Sequence, residues 1–102
     1  MSEGQIVAQI IKHYYKHPNI FLWRSNSGTF KAFSGCRVVC NFAGIGDISG
    51  FRSPSGQAVF IETKDTTKQE PKQAEFQAIA ESMGCIYILA RSLQDVIDVL
   101  GL

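Results

Sequence analysis

Gly46-Asp47-Ile48-Ser49-Gly50-Phe51, then Ser53-Pro54-Ser55-Gly56, then Ala58-Val59-Phe60-Ile61-Glu62-Thr63-Lys64 is the stretch that decides how this chain is read. The middle cluster combines proline, serine and glycine, the residues that reverse a chain. The last segment is the clearest strand, apolar at its start and charged at its end. Side chains alternate along a strand, so Glu62 and Lys64 share one face and Thr63 takes the other. Asp47 follows the bend Ala43-Gly44-Ile45-Gly46 and opens the extended segment Asp47 to Phe51. A hairpin through the Pro54–Gly56 turn would let both carboxylates and the lysine converge.

Working outward, the chain begins with a predicted helix from Glu3 to His17. Ser2 and Gln5 have the spacing of a capping box. Ile6, Val7, Ile10, Ile11, Tyr14 and Tyr15 recur on one helical face, and Pro18-Asn19 ends the element. Ile20 to Arg24 and Arg37 to Phe42 read as extended, with Ser25 to Gly28 breaking the first. After the Glu62 strand, a polar loop leads to a helix opened by Pro71 and closed by Gly84. Its expected buried stripe is Phe76, Ile79, Ala80 and Met83. Cys85 to Ala90 reads as a strand covered on both faces. A last helix starts at Ser92, where Asp95 suggests a second capping box, and buries Leu93, Val96, Ile97 and Leu100 before Gly101. The expected order is α-β-β-β-α-β-α, an α/β fold with a mixed sheet flanked by helices.

With 102 residues, positions 1–102 form one domain. A formal charge of +1 gives no bulk signature of nucleic-acid binding, so any basic footprint must be local. The three cysteines are expected to be reduced and buried, in a cytoplasmic rather than secreted protein. Cys36 and Cys40 lack a second Cys/His pair to complete a zinc site. No apolar run reaches the ~20 residues of a membrane span.

The chemistry sits in Asp47, Glu62 and Lys64. Two carboxylates with a backbone carbonyl near Thr63 make a hard oxygen site suited to Mg²⁺ or Mn²⁺. A cation there would acidify water and stabilise charge on a phosphate, and a compact ammonium beside it would assist. Phosphodiester hydrolysis is the reaction class such a set serves. The competing reading is a solvated strand end that happens to spell Glu-Thr-Lys.

Gly44-Ile45-Gly46-Asp47-Ile48-Ser49-Gly50, then Val59 to Lys64, then Gln73 opening a helix, resembles the VRR-NUC domain of the PD-(D/E)XK nuclease superfamily. Glu3 and Gln5 on an opening helix, Trp23-Arg24-Ser25-Asn26-Ser27-Gly28 (like the family's Arg-x-Asn-x-Gly segment) and Ser82-Met83-Gly84-Cys85 extend the resemblance over nearly the whole chain. It implies a restriction-endonuclease-like core, with Asp47, Glu62 and the Thr63 carbonyl as metal ligands and Glu3 as a further one. Lys64 would be the catalytic lysine and Gln73 a neighbour of the site. Arg24, Asn26 and Gly28 would contact DNA or shape a turn. Many relatives carry proline before the aspartate; Gly46 stands there instead, and a looser turn is expected.

The resemblance further implies a homodimeric, structure-selective endonuclease of stand-alone viral or phage type, acting on branched DNA such as four-way (Holliday) junctions. Flap or restriction-type targets, or a DNA-binding module with weak catalysis, are the alternatives. Lys31, Arg52, Lys68 and Lys72, with Lys12, Lys16 and Arg37, are candidates for phosphate contacts. His13 and His17 lie four apart on the predicted helix, but no third ligand accompanies them, and a solvated face is the expected role.

Overall fold

A computed structural model describes residues 1–25, 28–31, 37–40 and 44–102, the two short internal segments as backbone. Helix α1 (Glu3–His13) is followed by strands β1 (Ile20–Arg24), β2 (Gly28–Lys31), β3 (Arg37–Cys40), β4 (Ile48–Arg52) and β5 (Gln57–Thr63). Helix α2 (Pro71–Ser82), strand β6 (Ile86–Ala90) and helix α3 (Leu93–Leu100) complete the chain. The main sheet has the order β1-β4-β5-β6, and β2-β3 form a separate two-stranded sheet. On the main sheet the element order is α-β-β-β-α-β-α, as expected. The β2 strand was not expected from the sequence, which read Gly28 as part of a break.

The sheet is mixed. β1–β4 and β4–β5 are antiparallel, whereas β5–β6 is parallel. A tight hairpin joins β4 to β5, and α2 supplies the crossover that a parallel pair requires. One sheet face carries the core. Ile20, Ile48, Val59, Ile61, Ile88 and Ala90 pack there against Ile6, Val7, Ile10 and Tyr14 of α1 and Val96 of α3. The other face presents Phe60 and Tyr87 to Phe76 of α2, with ring centroids 4.9 and 6.3 Å from that residue.

Both helix starts on the core side obey their capping signals. Ser2 Oγ accepts from Gln5 N–H at 3.2 Å, and Gln5 Oε1 accepts from Ser2 N–H at 2.9 Å, a complete capping box. At α3, Ser92 Oγ accepts from Asp95 N–H at 3.3 Å. The Asp95 carboxylate takes its bond from Arg91 N–H instead (2.8 Å), one residue earlier than expected.

Two helical expectations are corrected. α1 ends at His13, not His17, because Tyr14 turns inward to donate its hydroxyl to Gly101 O at 2.6 Å. Tyr15 is therefore exposed, and His13 and His17 are not on one helix. His17 instead contacts Leu102 O through Nε2 (2.9 Å) and accepts from Asn19 N–H through Nδ1 (3.0 Å). In α2, Ile79 and Met83 point to solvent; the inward row is Gln73, Phe76, Gln77 and Ala80. Cys85 is a half-buried free thiol, not a core residue, and Cys36 lies outside the described residues. Among the described residues no helix is long and apolar enough to cross a membrane.

Candidate active site

The site forms where β4 begins and β5 ends. The antiparallel register pairs Ile48 with Ile61, so one step further sets Asp47 across from Glu62. The Asp47 backbone is held on both sides. Its N–H donates to Ile61 O at 3.0 Å, and its carbonyl accepts from Ser25 N–H at 2.9 Å. Its side chain is fixed as firmly. Asp47 Oδ2 accepts from Thr63 N–H (2.9 Å) and from Thr63 Oγ1–H (2.7 Å). In a strand, the N–H and C=O of one residue leave along the same edge. The Thr63 carbonyl therefore opens toward the Asp47 side, in keeping with the ligand set expected from sequence. The Thr63 hydroxyl bond was not anticipated, since alternation assigned that side chain to the far face.

The bend before Asp47 is built by glycines in backbone conformations that other residues resist. Gly46 has φ of 101°, and a Cβ there would lie 3.0 Å from Ile61 O and 3.6 Å from Glu62 Oε2. Proline, locked near −65°, could not adopt this φ. The turn is thus tightly packed, not loosened by the absence of proline. Gly44 has φ of 89°, and a Cβ there would collide with the Lys72 carbonyl. That contact seats the first turn of α2 directly on the bend.

Glu62, Thr63 and Lys64 are 5%, 0% and 6% exposed. Three consecutive polar residues this well buried, two of them ionisable, are unusual for a solvated strand end. Burial pushes the Glu62 carboxyl up to about 7; the Asp47 charge and a hydrogen bond between the two carboxyl groups push the same way. Glu3, in the first turn of α1, adds a smaller push, whereas Lys64 pulls the value down. Glu3 and Lys64 are thus near enough to act electrostatically on Glu62. Lys64 is held by its own backbone, whose N–H donates to Ala90 O of β6 at 3.0 Å.

The loop after Lys64 is tied down at both ends. Arg91 Nη1 donates to Asp65 O at 3.0 Å. Gln69 Nε2 donates to Gln77 Oε1 (2.8 Å) and reaches the Tyr87 hydroxyl (3.3 Å). Gln73 lies at the foot of α2 beside the Gly44 bend, but its Oε1 is engaged by Glu70 N–H at 2.8 Å, so it caps the helix.

Among the described residues no three His, Cys, Asp or Glu side chains gather closely enough to hold an ion by themselves. The pair Asp47/Glu62 fits a cation that keeps much of its own water and takes one or two carboxylates from protein, the habit of Mg²⁺. Two mutually repelling carboxyl groups in contact are the kind of donor set that a divalent ion relieves. Of the residues expected to meet DNA, Arg24, Lys68 and Lys72 are exposed and Arg52 is half-buried. Asn26 lies outside the described residues, and Lys31 is described as backbone alone. No family model matches the chain, and no curated protein shows significant similarity to it.

Proposed function

We propose that the protein is a metal-dependent DNA endonuclease with a restriction-endonuclease-like core of the VRR-NUC kind. The observation that carries this reading is the cross-strand pair of Asp47 and Glu62, buried at one end of the mixed sheet with Lys64 two residues beyond Glu62. The β4–β5 hairpin and the α2 crossover, which bring the pair and α2 to the same sheet end, support the fold assignment.

Asp47, Glu62 and the Thr63 carbonyl would hold Mg²⁺ or Mn²⁺, with Glu3 near enough to join through water. The bound cation would polarise a phosphodiester and lower the pKa of attacking water. Thr63 acts on Asp47 as a positioning residue, presenting one carboxylate oxygen by two hydrogen bonds. Lys64 supplies a compact positive charge where phosphoryl oxygens gain charge in the transition state. Gln73 helps by fixing the start of α2 against the Gly44 bend. Branched DNA such as a four-way junction is the proposed substrate, cut by a homodimer whose two-fold symmetry matches paired strands.

The test is a cleavage panel of four-way junction, flap, splayed arm, linear duplex and single strand, with Mg²⁺ and with Mn²⁺. Wild type should cut the junction, and Asp47→Ala and Glu62→Ala should not, while both keep a wild-type circular dichroism spectrum. Full activity in either variant excludes the site.

A further inference from the structure

Phe21, Trp23 and Phe51 are large apolar residues left 60%, 40% and 48% exposed. They form one cluster. Phe21 and Phe51 are cross-strand partners whose rings stack at 5.5 Å between centroids with 15° between planes. Trp23 lies 5.8 Å from each. Alternation along β4 sets Phe51 on the same face as Asp47, four residues away, which is about 13 Å at ~3.4 Å per residue.

The charge around the cluster has one sign. Segments 17–24 and 51–57, which carry the rings, contain Arg24 and Arg52 and no Asp or Glu. Arg24 is exposed beside Trp23. Arg52 is oriented by donating Nε–H to Gln57 Oε1 at 3.0 Å, and with Phe21 and Phe51 it lines a surface pocket of about 380 Å³. Flat exposed rings flanked by cations are the composition of a surface on which bases stack while their phosphates are neutralised. A second copy fits less well. In a two-fold contact the patch would meet itself, setting arginines against arginines with no carboxylate on these strands to answer them.

We infer that Phe21, Trp23 and Phe51 form a stacking platform for unpaired bases of a nucleic-acid strand, with Arg24 and Arg52 on its phosphates. Resting on the nuclease reading above, this makes the substrate one with unstacked nucleotides a short way from the cut. The platform requires no metal, so it is separable from cleavage.

Trp23 is the only tryptophan, so its emission reports on this surface alone. The experiment titrates metal-free protein with an oligothymidylate of about twelve nucleotides, and with blunt duplex of equal length. The expected result is saturable quenching by the single strand and much weaker quenching by the duplex. Phe21→Ala and Phe51→Ala should each weaken oligothymidylate binding by about five-fold to a hundred-fold, and Phe51→Tyr should retain it. Unchanged Trp23 emission in wild type, which needs no variant to fold, overturns the inference. So does loss of a dimer on sedimentation of Phe51→Ala with oligothymidylate affinity unchanged, which would make the patch a contact between copies. Magnesium-dependent cleavage without quenching sinks the platform and spares the nuclease; quenching without cleavage of any DNA does the reverse.

Discussion

Asp47 receives two hydrogen bonds on one carboxylate oxygen from a single residue, Thr63, through its amide at 2.9 Å and its hydroxyl at 2.7 Å. A hydrogen bond to a charged group contributes ~1.5–3 kcal/mol, so the hydroxyl is worth removing by itself. Thr63→Val keeps the volume and loses the donor. It should lower stability by about 1–3 kcal/mol in urea unfolding and slow cleavage, and Thr63→Ser should recover most of both. Equal stability of Thr63→Val and wild type would show the hydroxyl bond to be idle.

The raised Glu62 carboxyl fixes a pH dependence. Its folded-state value of about 7 lies above the ordinary 4.5, so the metal-free folded protein binds more protons than the unfolded chain between those values. Stability of the metal-free protein should therefore fall as pH rises from about 4.5 through about 7, and flatten above. Glu62→Gln should remove that slope and be the more stable protein at alkaline pH. A cation must displace the proton, so Mg²⁺ affinity should rise over the same interval, with proton release visible as a buffer-dependent heat in calorimetry. A heat independent of buffer would contradict this.

Lys64 lowers the Glu62 value, opposing burial and Asp47. Lys64→Met, which keeps the buried stem, should shift the Glu62 titration upward and move the onset of Mg²⁺ binding to higher pH. DNA binding should persist while the cleavage rate at saturating metal drops by two orders of magnitude or more, the scale of losing one electrostatic group from a transition state. Turnover at the wild-type rate would reduce the lysine to a structural charge.

Gly44 couples the catalytic bend to α2. Gly44→Ala introduces a Cβ against the Lys72 carbonyl at a φ of 89°, and should cost at least 1–3 kcal/mol of stability. Gly56→Ala has a φ of 76° with nothing near its Cβ, and should cost only the backbone strain. A smaller loss at Gly44 than at Gly56 would argue that the bend and α2 move independently.

DNA affinity should fall steeply with salt, because phosphate contacts release counterions. Sedimentation of wild type should give a dimer in the micromolar range. A monomer there would remove the basis for paired cuts.

Much of the fold is legible wherever local chemistry is self-sufficient. Ser2 with Gln5, Ser92, Gly101 and the alternation from Ala58 to Lys64 each announce their element. The sequence failed where tertiary contacts decide. α1 stops early because Tyr14 finds Gly101 O at the far end of the chain. α2 turns glutamines inward because Phe60 and Tyr87 capture Phe76, and Gln77 and Gln69 satisfy each other there. In the site, Asp47, Glu62 and Lys64 were found from spacing alone. The Thr63 hydroxyl was missed because alternation holds within a strand and Asp47 crosses it from a bend. The aromatic cluster had a signal that went unread, Phe21 and Trp23 alternating on β1 opposite Phe51 on β4.

The tethered segment between Lys64 and α2 has a kinetic consequence. Arg91 grips it at Asp65, and Gln69 anchors it to both α2 and Tyr87. Ordering that segment is done during folding, so none of the substrate's affinity is consumed in arranging it. Turnover on different DNAs should then track how readily each one distorts to reach a stationary aperture, and rates should not carry the signature of a slow protein rearrangement.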